Sequence, residues 1–148
     1  MKLAHFIKIR VFCNETEDEN KIQESLVSLI PFDISEEKIV VKKKTSIGFK
    51  EKKIKILEIV LEKNKHVNAF LDSLNDMLGA EQKELLNQQS ASRLDDELNF
   101  FIRFDKDRLL NKELWITESG DCFHLTISIA AFPSKKEVAL SRIKEIFK

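Results

Sequence analysis

From residue 3 to residue 14, apolar and polar side chains alternate. Leu3, His5, Ile7, Ile9, Val11 and Cys13 fall on one side, and Phe6, Lys8, Arg10 and Phe12 on the other. This period of two predicts a strand. Thr16 and Glu19 then stand at capping-box spacing, with further acids in the first turn to complement the helix dipole. Ile22, Leu26, Leu29 and Ile30 share one helical stripe that Pro31 stops. Residues 38–45, with the β-branched run IVVKKKT, read as a short strand, and 54–63 (IKILEIVLEK) as its partner across a polar loop containing Gly48.

From Lys65 the period changes to that of a helix: Val67, Phe70, Leu71, Leu74, Met77 and Leu78 recur, and Gly79 is placed to cap the C-terminus. A second helix is expected over 80–92, a strand over 96–104, and one or two helical turns over 105–112. A hairpin follows, 113–118 with 122–132 around Ser119-Gly120-Asp121. The last helix opens after Pro133, a residue favoured near a helix start because its missing N–H would go unpaired there. The expected order is β-α-β-β-α-α-β-(α)-β-β-α, an α+β fold with one mostly antiparallel sheet of about six strands backed by helices.

A length of 148 residues without internal repeat or linker predicts one domain over 1–148. No apolar run approaches the roughly 18–20 residues of a membrane helix. The N-terminus is broken by Lys2, His5, Lys8 and Arg10, unlike a signal peptide. Cys13 and Cys122 therefore read as reduced core residues, and a cytoplasmic location is expected.

Net charge is zero, yet charge is segregated. Residues 14–37 carry eight acids and one Lys, whereas 38–65 carry ten Lys and three Glu. Local fields of this kind, and not the total, steer a polyanion.

Catalytic constellations are sparse. His5, His66 and His124 have no metal-ligand spacing, no CxxC is present, and three scattered glycines build no phosphate loop, so no metal or cofactor is expected. A Cys13/His124 nucleophile pair is formally conceivable, but Cys13 lies on the apolar side of its strand, away from the access a reactive thiolate requires. The acids Asp95, Asp96 and Glu97 read as a solvated element end. The expectation is a protein that is not an enzyme.

Binding chemistry is richer. Phe6, Lys8, Arg10 and Phe12 share one face, as do Asn99, Phe101, Arg103 and Asp105, and His124, Thr126 and Ser128. If these faces coincide they form a surface of cations, hydroxyls and rings suited to single-stranded nucleic acid. The competing reading buries Phe6, Phe12 and Phe101 under a second layer or in a homodimer or other protein interface. A second basic feature is Lys42, Lys43, Lys44, Lys50, Lys52, Lys53 and Lys55, a hairpin able to track a phosphate backbone or merely to stay solvated.

The segment AHFIKIRVFCNETEDENKIQESLVSLIP resembles the opening of an archaeal family of RNA-binding proteins and predicted exosome subunits. NFFIRFDKDRLLNKELWI and SIAAFPSKKEVALSRIKEIF are similar to that family's later strand and closing helix. The resemblance implies a fold like the large-subunit ribosomal protein that binds the small ribosomal RNA, with a curved antiparallel sheet. It also implies RNA association and linkage to RNA-processing machinery. His5, Arg10, Arg103, Asp105 and Lys106 match the family pattern. Asp107-Arg108 departs from it, and Asp107 would repel phosphate. Phe6, Lys8, Arg10, Lys42, Lys43, Lys44, Lys50, Lys52, Lys53, Phe101, Arg103, Lys106 and His124 are thus the expected RNA contacts.

Overall fold

A computed structural model describes residues 2–48 and 51–148. Five strands, β1 (Ala4–Asn14), β2 (Lys42–Ile47), β3 (Lys53–Leu61), β4 (Asn99–Asp105) and β5 (Cys122–Ile129), form an open antiparallel sheet in the order β2-β3-β1-β5-β4. Among the described residues, five α-helices accompany them: α1 (Glu19–Ser28), α2 (Asn64–Met77), α3 (Ala80–Gln88), α4 (Lys106–Leu110) and α5 (Lys136–Ile146). The α+β organisation is the one the apolar pattern predicts.

The sixth expected strand is absent because β5 has both edges occupied, by β1 and β4. Residues 113–118 instead run along β4: the Asp105 N–H donates to the Trp115 carbonyl and the Thr117 N–H to that of Arg103, with a single bridge between Phe104 and Ile116. Two caps also differ from expectation. Asp18, not Thr16, caps α1, its carboxylate accepting from the N–H groups of Asn20 and Lys21. Gly79 is the N-cap of α3 with φ −70°, while Leu78 closes α2 in extended conformation, so no left-handed glycine ends that helix.

The chain forms two compact units. The first takes the N-terminal residues through Ile7, Leu61–Ile102 and Thr126–Lys148. Its core is built from Ile7, Phe70, Leu74, Phe100, Ile127 and Phe147, all at most 1% exposed, with the Phe100 and Phe147 rings 5.9 Å apart. The inward positions of β1 here are Ala4 and Ile7, three apart, so alternation slips by one residue. His5 consequently faces outward, edge-on to the Phe132 ring at 6.0 Å.

The second unit takes Lys8–Val60 and Arg103–Leu125. Ile9, Val11, Ile22, Leu26, Leu57 and Phe123 fill its core, and α1 packs on α4. Regular alternation in β1 from Ile7 onward leaves Lys8, Arg10 and Phe12 on the face opposite this core.

Candidate nucleic-acid interface

The open sheet face of the second unit carries one chemically distinctive side chain from each strand. On β2, Lys42 lies directly opposite Glu58 of β3 in the antiparallel register, so the two share a face. The Glu58 carboxylate accepts from Arg10 of β1, with Nε and Nη2 each 3.2 Å from Oε2. On β5, His124 lies in the field of two guanidinium groups, those of Arg103 on β4 and Arg10. The row reads Lys42, Glu58, Arg10, His124, Arg103, and at about 4.8 Å per strand it spans roughly 19 Å.

Local electrostatics follow from this placement. Burial first, then Arg103 and then Arg10, hold the His124 imidazole below the ordinary histidine range, so it is neutral at neutral pH. An anion set between the two guanidinium groups would reverse those last two effects. Arg103 is anchored by donation from Nη1 to the Glu118 carbonyl at 3.1 Å. Phe12, 45% exposed, presents a ring on the same face.

The lysines of the β2–β3 hairpin separate by strand alternation. Lys42 and Lys44 register with Glu58 and Ile56 on the open face, where they are exposed. Together with Arg10, Lys43, Ile56 and Glu58 they bound a concavity of about 580 Å³. Lys43 and Lys55 face the opposite way. Their ammonium groups are 3.0 and 2.6 Å from the two oxygens of Glu19 at the start of α1, and these lysines hold its carboxyl below the usual range. Lys52 and Lys53 are exposed, and Lys50 lies outside the described residues.

Lys106 is placed differently from an RNA contact. Its side chain is 2% exposed. The ammonium donates to the Phe12 carbonyl at 2.7 Å and to Glu17 at 3.2 Å, and lies 2.6 Å from Asp121. Three donors meet three acceptors, leaving no proton for phosphate. Phe6 and Phe101 belong to the first unit, where both are half-buried.

The nucleophile pair does not form. Cys13 lies on the core side of β1, and His124 on the open side of β5 with Arg10. Burial, then the nearby Glu17 and Glu19, pushes the Cys13 thiol up, and burial does the same to Cys122, the opposite of activation. Among the described residues, no group of three or more metal-ligating side chains exists, and no helix is long and apolar enough to cross a membrane. Asp95 caps a turn by accepting from the N–H groups of Glu97 and Asn99, and Asp96 pairs with Lys136.

Glu58 has no counterpart in the residues expected from sequence. It is a lone acid on the outward phase of a strand within a lysine-rich segment, a signal that its alternation with Leu57 and Ile59 carries.

Fold and face together define a small α+β protein whose sheet presents, on one face, cations from β2, β1 and β4. An RNA-binding family matches residues 6–129, and the chain belongs to that family. An RNA-binding protein of Pyrococcus abyssi is 30% identical over 142 residues, covering 96% of this chain and 92% of that one. Among solved structures, a DUF54 protein from Methanothermobacter thermautotrophicus is 26% identical with a TM-score of 0.79, covering 99% of both chains. A DUF54-family protein from Archaeglobus fulgidus shares the fold at a TM-score of 0.86, with 24% identity and coverage of 97% and 99%.

Proposed function

We propose that this chain is a non-catalytic RNA-binding accessory protein that lays single-stranded RNA on the open sheet face of its second unit. The observation that carries the reading is the placement of Lys42, Arg10 and Arg103 on one sheet face, with His124 on the strand between the two arginines, because these three cations outnumber the single Glu58 carboxylate there in a molecule of zero net charge. Phosphates would be neutralised by Lys42, Lys44, Arg10 and Arg103, with Lys8 and Lys52 flanking, and Phe12 would offer a stacking ring; Lys53, in phase with Lys55, falls on the other face. Lys43 and Lys106 drop out of the contact set because their ammonium groups are committed to carboxylates. Membership of an RNA-binding family supports the same reading. A cytoplasmic place beside RNA-processing proteins, the exosome among them, and a curved sheet like that of the ribosomal protein extend it on resemblance.

Binding of a uridine-rich oligomer should fall with salt at a log–log slope of about −3, from four phosphate contacts at about 0.7 each. Arg103→Glu should weaken binding about tenfold and reduce the slope by about one. Affinity that is indifferent to salt and to this reversal rules the interface out. An assembly module, the competing class, would instead remain associated on dilution in light scattering and lose that association on Phe6→Ser or Phe101→Ser.

A further inference from the structure

A carboxylate at the centre of a phosphate-binding face works against phosphate, so Glu58 calls for a separate explanation. Its Oε2 accepts the Arg10 Nε hydrogen bond and takes the ion-pair contact with Nη2, and no hydrogen bond or ion pair is formed by Oε1 among the described residues. Beside it on the same face stands Lys42, its cross-strand partner, with Cβ atoms of such pairs about 4.5–5.5 Å apart. Two residues back along β3, Ile56 supplies an apolar surface on the same face. These groups bound the concavity of about 580 Å³, room for a nucleoside with its phosphate.

A single acceptor beside a donor can meet any base edge, but a carboxylate, which accepts twice, beside an ammonium is met in full by one. Guanine presents O6, N1–H and N2–H₂ in a line, one acceptor followed by two adjacent donors. Adenine, cytosine and uracil each lack the paired donors. We propose, resting on the RNA-binding reading above, that Glu58 and Lys42 form a guanine-selective subsite. The carboxylate accepts from N1–H and N2–H₂, Lys42 donates to O6, and Ile56 packs on the base. Base edges in unpaired RNA are accessible to such contacts. Arg10 holds the carboxylate in place while facing the backbone, and Lys44 serves the adjacent phosphate.

The test uses the full chain and uridine octamers carrying one central guanine, inosine or adenine, titrated by fluorescence anisotropy at 50 mM salt. The guanine oligomer should bind at least tenfold tighter than the adenine one, with inosine, which lacks N2, between them. Glu58→Gln keeps an oxygen for Arg10 but replaces one acceptor with a donor. It should shrink the guanine preference to within about threefold while leaving adenine-oligomer affinity equal or higher. Equal binding of all three oligomers, with steep salt dependence retained, overturns the guanine subsite and leaves the RNA interface standing. Retained preference in Glu58→Gln, with affinity raised uniformly, also overturns it and reduces Glu58 to a restraint on Arg10. No binding of any oligomer overturns the interface itself, and the subsite with it. Unchanged thermal melting of Glu58→Gln shows that the comparison is between folded proteins.

Discussion

Lys106 shows how one residue type can be read from sequence with the wrong role. Placed after Asp105 and before Asp107-Arg108, it looks like a phosphate contact; folded, it joins the carbonyl of Phe12, Glu17 ahead of α1, and Asp121 in the turn before β5. Burial alone would lower its pKa, but the hydrogen bonds and charges of Asp121 and Glu17 outweigh it and raise the ammonium above the ordinary lysine value. A raised folded value means that this stabilisation is complete below the ordinary lysine pKa and is lost as pH climbs through the folded one. Lys106→Met keeps the buried stem and removes the charge. Urea unfolding should show a loss of about 3 kcal/mol, the lower end for breaking a buried ion pair because Asp121 is largely exposed. Lys112 makes the opposite case. It is exposed and holds φ 65° just past α4, a conformation unfavourable for any side chain, so Lys112→Gly should raise stability by about 0.5–1 kcal/mol in the same assay. Both free thiols, raised by burial, should react with a maleimide only at the rate of local opening, and burst labelling at pH 7 would contradict their placement.

At the scale of elements, the β2–β3 hairpin divides its lysines by register. Lys42 and Lys44 point to the open face, and Lys43 and Lys55 turn back to Glu19. Lys42→Ala with Lys44→Ala should therefore weaken RNA binding at least fivefold. Lys43→Ala with Lys55→Ala should change it less than twofold and cost only about 0.5 kcal/mol of stability, the usual worth of exposed pairs. Equal losses in the two double variants would mean that charge alone, and not its face, matters. Alternation made this split visible in the run KKK, and it also placed Arg10 and Arg103 outward. What alternation did not carry is the slip between Ala4 and Ile7, which turns His5 outward, or the choice of 113–118 to follow β4. Both depend on neighbours far away in the chain.

Across the molecule, zero net charge conceals a face where three cations meet one carboxylate, and proton and RNA binding should be linked through it. His124 is neutral because burial, Arg103 and Arg10 oppose its protonation. For the free chain, a lowered folded pKa means that stability declines as pH falls through the ordinary histidine range, since the unfolded chain binds the proton first. A phosphate between Arg10 and Arg103 favours the imidazolium, so RNA affinity should rise as pH falls from 7 to 5.5, and His124→Gln should flatten that rise. A wild-type affinity that is flat over this range would place the backbone elsewhere.

Local order was written in the chain: period two against period 3.6, proline and the acidic helix start fixed most elements, and strand alternation fixed which side chains could share a face. The row itself was not, because Lys42, Glu58, Arg10, His124 and Arg103 become neighbours only through the order β2-β3-β1-β5-β4. Cross-strand proximity is a property of pairing between distant segments, and no spacing along one strand encodes it. The same holds for Lys106 and Glu58, whose roles depend on which opposite charge the fold brings within about 3 Å.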